Sequence, residues 1–181
     1  DVYKRQVCPS VWAWRPGRVK HFKHVDYMLC LFPFELEYCA NVRKQAFCIG
    51  HPLIDEQAAY ESEFKEDIVC IMPGSRKSEI QNNLDVMIDG FNQFNYQDNF
   101  KAIIPVYKKE DKYLIQHKTQ NHKNISCEQV YSAEVLKKAK AAIVCSGTAT
   151  VEALLAGIPT TVVYKTNWFN HFVLKQLMLS E

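Results

Sequence analysis

Short apolar runs and stretches of helical period alternate along most of the chain. Residues 25–32 (VDYMLCLF) form an apolar run closed by Pro33, which predicts a buried strand. A short helix is expected over 34–41 and a second strand over 46–49, ending at Gly50-His51-Pro52. From 55 to 67 the chain turns polar and acid-rich, and this shift marks the expected boundary between two units.

Beyond it the pattern is regular. Residues 68–72 read as a strand and Pro73-Gly74-Ser75-Arg76 as a turn. Ile80, Leu84, Ile88, Phe91 and Phe94 recur at three- and four-residue spacing, one face of an amphipathic helix. Strands at 100–106, 124–127, 142–145 and 160–164 alternate with helices at 110–118, 132–140 and 148–156. Ser132 is the expected cap of the 132–140 helix, with Glu134 in its favourable first turn. Gly157 stops the 148–156 helix, Pro159 precedes the last strand, and a final apolar-faced helix carries Phe169, Phe172 and Leu177. Such alternation predicts βαβ units, a parallel sheet and right-handed crossovers. The expected fold class is α/β, with ligands outside the carboxyl ends of the strands.

Composition narrows the functional classes. A length of 181 residues allows one domain or two small halves. With 48% hydrophobic and 23% charged residues, disorder and coiled coil are excluded. The 22 basic and 20 acidic residues leave a net charge of +2, too balanced for general capture of nucleic acid. Seven cysteines cannot all pair, and no two stand at C-x-x-C spacing, so a reducing cytosol is the simplest setting. The six glycines build neither G-x-G-x-x-G nor the Walker loop. No metal and no cofactor is expected. Residues 1–6 are polar with no apolar core after them, unlike a signal peptide. The least charged stretch, 141–164, holds Glu152, Pro159 and two glycines, and falls short of the ~20 apolar residues of a spanning helix.

Two loops at strand ends carry candidate chemistry. In Pro73-Gly74-Ser75-Arg76, Gly74 lets backbone approach a ligand and Ser75 is placed to cap the next helix. Free amides at that helix start attract anions, and Arg76 adds a fork-shaped cation suited to phosphate. An ordinary capped turn with a solvated arginine is the alternative. In residues 146–152 (SGTATVE), Ser146, Gly147, Thr148 and Thr150 present amides and hydroxyls without bulk. Glu152 sits in or near the first helical turn, where it accepts from sugar hydroxyls or simply complements the helix dipole. Together the two loops suit a nucleotide diphosphate better than either does alone.

A third cluster lies in residues 8–20 (CPSVWAWRPGRVK). Trp12 and Trp14 share one face of an extended segment, and Arg15, Arg18, Lys20 and Lys23 follow. A basic, aromatic edge for an anionic lipid is one reading, and a core strand leading into a solvated helix is the simpler one. His51 reads as a structural turn residue, and His21 and His24 have no metal-ligand partners at useful spacing. The pairs Asp55-Glu56 and Glu110-Asp111 read as solvated, and no Ser-His-Asp arrangement can be assembled.

The strings PSVWAWRPGRVK, LFPFE, IGHP, MPGSRKSEI and SGTATVEALLAGIPTTVVY, in this order, resemble the lipid A disaccharide synthases. VWAWR with LFPFE is specific to that family, whereas the PGSR and G-T-A-T-x-E loops occur in looser form among related nucleotide-sugar enzymes. The resemblance runs from about Cys8 to the last residue. It implies a GT-B glycosyltransferase, two Rossmann-like domains with parallel sheets and helices on both faces. On that pattern residues 1–6 are a non-matching leader, a cloning or assembly scar. Residues 7–52 are the tail of the N-terminal acceptor-side domain, 53–66 the linker region and 67–181 a truncated C-terminal nucleotide-sugar domain. The chain is expected to be an internal fragment.

The implied reaction moves 2,3-diacylglucosamine from UDP-2,3-diacylglucosamine to 2,3-diacylglucosamine 1-phosphate. It yields the β-1,6 lipid A disaccharide with inversion, without a metal, in Gram-negative lipopolysaccharide synthesis. The implied place is the cytoplasm, peripheral on the inner face of the inner membrane. Arg76 is implied to stabilise the leaving group. Gly74, Ser75, Glu79, Ser146, Gly147, Thr148, Thr150 and Glu152 are implied to bind substrate. The family's base falls among acidic residues upstream of Cys8, so none is expected here. The near rivals are a UDP-GlcNAc epimerase or the peptidoglycan glucosaminyl transferase, against which VWAWR speaks. The rival of another class is a non-catalytic UDP-binding module.

Overall fold

The computed structural model describes residues 27–40, 46–55, 65–95, 97 and 99–165. By internal contacts the chain divides between Asp55 and Glu56 into two compact units. The final helix expected around Phe169 to Leu177, and the cluster from Trp12 to Lys23, lie outside the described residues.

In the first unit, β1 (Met28–Cys30) and β2 (Ala46–Cys48) pair in parallel with Leu29 opposite Phe47. Between them runs α1 (Pro33–Ala40). The Glu35 carboxylate turns back to accept the amides of Leu31 at 2.7 Å and Phe32 at 2.9 Å. A helix start leaves such donors without intrahelical acceptors, and Glu35 satisfies the turn from within the LFPFE string. After β2, Pro52–Ile54 form a single 3₁₀ turn, where His51 Nδ1 accepts the Leu53 amide at 3.2 Å. His51 is a turn residue, as its sequence context suggests.

The second unit is built around β3 (Glu66–Met72), whose interior residues Val69, Cys70 and Ile71 are almost fully buried. Successive strand side chains point to opposite faces, and here each face meets different helices. Val69 and Ile71 pack with Ile80, Leu84, Met87, Ile88 and Phe91 of α2 (Lys77–Phe94) and Ile115 of α3 (Lys109–Thr119). Ile68 and Cys70 pack with Val135 and Leu136 of α4 (Ser132–Lys138) and Ala153 of α5 (Thr148–Leu155). Helices therefore cover both faces of the sheet. Truncating a core aromatic such as Phe91 to alanine removes about 3–5 kcal/mol.

The remaining strands are β4 (Lys101–Pro105), β5 (Ile125–Glu128), β6 (Ala139–Cys145) and β7 (Thr160–Val163). All five strands are parallel, in the order β5-β4-β3-β6-β7. The chain builds outward from β3 to β5, then returns to place β6 on the other side of β3. The architecture is α/β and Rossmann-like, as the alternation of elements predicts.

Four local expectations are corrected. Helix α4 ends at Lys138 rather than 140, and β6 starts at Ala139 rather than 142. Ala139 already has extended backbone and pairs with Glu66, while the Lys65 ammonium donates to the carbonyls of Leu136 and Lys137. Helix thus passes into strand without a loop. Ser132 does not cap α4, because Tyr131 holds the cap position and Glu134 accepts its amide at 3.2 Å. Nor does Ser75 cap α2: Arg76 holds the cap position without a side-chain cap bond, and Glu79 accepts its amide at 3.3 Å.

Candidate functional site

A parallel sheet wound this way opens a crevice where strand order reverses, outside the carboxyl ends of the two strands flanking the switch. Here those strands are β3 and β6. Their pairing runs to Met72 opposite Val144, so the loops that follow emerge side by side. They are the two loops singled out from the sequence.

In the first, Gly74 has a φ of +124°. An added Cβ would meet Glu79 Cβ at 2.5 Å and Oε2 at 2.7 Å. Only glycine fits, for both conformation and space. The Glu79 carboxylate reaches back from the first turn of α2 into its own loop. Oε2 accepts the amides of Ser75 at 3.0 Å and Arg76 at 3.3 Å, and Oε1 the Arg76 guanidinium at 2.5 Å. Arg76 remains 74% exposed, so its fork is open to a second anion. Glu79, assigned to substrate from the sequence, also organises the loop that carries Arg76.

In the second loop, Gly147 caps α5 with a φ of +143° and no atom within 4 Å of an added Cβ. Glycine is required there by conformation, and the space beside it is open. Thr150 folds its hydroxyl onto the Gly147 carbonyl, and the Ser146 amide donates to Val163 of β7 at 3.2 Å. Glu152 lies beyond the first turn of α5, so dipole complementarity at the helix start does not account for it. Its half-buried carboxylate accepts the Ser132 hydroxyl from α4. Ser132 is thus part of the site's surroundings, a role its sequence context did not indicate.

Two thiols lie close to these carboxylates. Burial, with the Glu152 charge adding to it, pushes the Cys70 thiol up. Burial and the Glu79 charge push Cys145 up likewise. Both remain neutral and act as small apolar groups.

Sequence reasoning missed three further residues. Asn83 is a buried amide on the apolar face of α2, bonded to Pro73, Cys145 and Lys165. Its signal was present: a polar residue three positions after Ile80, on the stripe itself. Tyr107, after β4, and Tyr131, before α4, are exposed and hold their rings 5.7 Å apart. Two tyrosines 24 positions apart leave no trace in a local pattern. Among the described residues no group of three or more His, Cys, Asp or Glu is placed to hold a metal ion.

The model of the lipid-A-disaccharide synthetase family matches residues 3–180. The chain belongs to this family. Among its relatives, the lipid-A-disaccharide synthase of Helicobacter pylori (strain ATCC 700392 / 26695) is 31% identical, over 95% of this chain and 48% of that protein. That of Burkholderia mallei (strain SAVP1) is 33% identical, over 94% of this chain and 47% of that protein. The chain spans about half the length of these curated relatives. For a lipid-A-disaccharide synthetase family member, the Gly74 and Gly147 loops and Glu152 all gather at one end of one sheet.

Proposed function

We propose that this chain supplies the donor-nucleotide side of a lipid A disaccharide synthase of GT-B type. The observation that carries this is the pairing of β3 with β6, which sets the Arg76 loop beside the Gly147 loop at the switch point. On this reading residues 67–181 hold UDP-2,3-diacylglucosamine and residues 7–52 belong to the acceptor-side domain. The acceptor 6-hydroxyl of 2,3-diacylglucosamine 1-phosphate attacks the anomeric carbon, and the bond to UDP breaks with inversion. A carboxylate on the acceptor side takes the hydroxyl proton.

Negative charge grows on the departing diphosphate. Arg76 stabilises it, together with the backbone amides of residues 74–75 and 147–148, as fixed donors do without reorganising. The diphosphate then competes with Glu79 for the Arg76 guanidinium. Glu152, oriented by Ser132, and the hydroxyls of Ser146, Thr148 and Thr150 meet ribose or sugar hydroxyls. Tyr107 and Tyr131 offer an aromatic surface to the uracil ring.

Both substrates carry acyl chains, which places the work at a membrane surface, on the cytoplasmic face of the inner membrane. No described helix is long and apolar enough to cross a membrane, and on this reading contact is peripheral. The decisive experiment is calorimetry with UDP on the chain and on Arg76→Ala. A charge-assisted bond contributes about 1.5–3 kcal/mol net, so affinity should fall about 10- to 150-fold. Equal affinity for both forms rejects the assignment.

A further inference from the structure

We infer that Asn83 is a positioning residue that holds the two site loops in register from beneath. This rests on the reading of those loops as one diphosphate site. Asn83 is 1% exposed, within an otherwise apolar helix face. Its Nδ2 lies 2.9 Å from the Glu79 carbonyl, 3.4 Å from the Pro73 carbonyl and 3.3 Å from Cys145 Sγ. Its Oδ1 accepts the Lys165 amide at 2.8 Å.

An amide nitrogen carries two hydrogens. One serves the helix carbonyl of Glu79, and the other is shared between Pro73 and Cys145. Pro73 opens the Arg76 loop, Cys145 ends β6 just before the Gly147 loop, and Lys165 follows β7. One side chain therefore touches the exits of three parallel strands. The β3–β6 ladder stops at Met72 and Val144. Past it, Asn83 supplies a common reference for both loops. A fully satisfied buried polar network specifies one arrangement where an apolar side chain would tolerate several. The Ser146 amide, bonded to Val163, carries the same constraint across to β7.

The test compares Asn83→Leu with Leu84→Ala, its neighbour on the same buried face, in the 181-residue chain. Amide exchange and UDP affinity are read on both. Asn83→Leu is expected to speed exchange at 74–76 and 146–148 together and to weaken UDP binding about tenfold or more, as small misplacements of binding groups do. Leu84→Ala, which removes only apolar core contacts and no hydrogen bond to either loop, should lower thermal stability, leave both loops protected as in the parent and keep affinity within about twofold. Where Asn83→Leu does not fold, Asn83→Asp keeps the side-chain size and the Lys165 bond but reduces two N–H donors to at most one O–H, too few for Glu79, Pro73 and Cys145 together, and carries the same expectation for both loops. Loop exchange unchanged in the Asn83 variants, or equally raised by Leu84→Ala, overturns the inference. Absence of UDP binding by the parent chain would reject the functional reading instead, and the exchange comparison would still decide the role of Asn83.

Discussion

Gly74 stands where backbone and neighbours together exclude a side chain. Its φ of +124° strains any L-residue, and Glu79 fills the space a Cβ needs. Gly74→Ala should cost about 1–3 kcal/mol from backbone strain, read as a lower urea midpoint, and should abolish UDP binding by displacing the Arg76 loop. Tyr131→Ala tests the aromatic surface differently. Stacking contributes about 1–3 kcal/mol per base, so UDP affinity should fall while affinity for pyrophosphate, which has no base, stays level; equal losses would place Tyr131 elsewhere. Thiols give a pH prediction. Burial lifts Cys127 from 9.0 to about 11, with the Lys112 charge opposing and Glu128 assisting. The folded chain then keeps this proton to higher pH than the unfolded chain does. Its stabilising contribution is complete below 9.0 and drains as pH rises toward about 11. Cys70 and Cys145 act in the same direction, and Lys65, lowered by burial, acts in the opposite one. The urea midpoint should fall over that window, and Cys127→Ala should flatten the fall. At this scale Gly74 and Arg76 were legible because their chemistry is local. Asn83 was visible only as a polar residue on an apolar stripe, and Ser132 not at all as a site residue, because Ser132 meets Glu152 20 positions away and Asn83, besides nearby Glu79 and Pro73, reaches Cys145 and Lys165 62 and 82 positions away.

Among elements, α2 joins the site to the core. Its N-terminus holds the Arg76 loop, and its far end is fastened by Asn95, whose amide exchanges two bonds of 2.8 Å with the backbone of Phe100. Asn95 is buried, so Asn95→Ala leaves a backbone donor and acceptor without partners, at about 1–3 kcal/mol each at most. Urea unfolding should show the loss, and UDP affinity should not change, since the site lies at the other end of the helix. A fall in affinity matching the fall in stability would mean that the two ends are not independent. The periodic apolar stripe made α2 legible. The junction of α4 and β6 was not, because Lys138-Ala139-Lys140-Ala141-Ala142 favours helix locally, and that preference is overridden. Pairing of Ala139 with Glu66 decides it, and a partner strand is tertiary information.

For the whole molecule, alternating elements announced a parallel sheet, but nothing in them ordered the strands. That order creates the crevice, so the site was legible as two loops and not as one place. The acyl chains of the proposed substrates add a requirement at this scale: the protein must meet a bilayer. The balanced net charge of +2 gives this chain little general attraction, so contact made through it needs local charge beside apolar groups. Trp12, Trp14, Arg15, Arg18, Lys20 and Lys23 combine the two within one short stretch. Each basic residue near an anionic surface contributes about 1 kcal/mol. Reversing two of them, Arg18→Glu with Lys20→Glu, should remove about 2 kcal/mol and add repulsion. Co-sedimentation of the full-length protein with vesicles rich in anionic lipid should then fall more than about tenfold at low salt. High salt should bring parent and variant together, because screening removes the term that distinguishes them. Lys108→Glu with Lys109→Glu alters net charge equally at exposed positions far along the chain. It should leave the bound fraction near that of the parent. If the Arg18 and Lys20 variant binds as well as the parent at low salt, this segment is not the membrane contact; if both variants lose binding alike, net charge rather than the tryptophan-flanked cluster governs it.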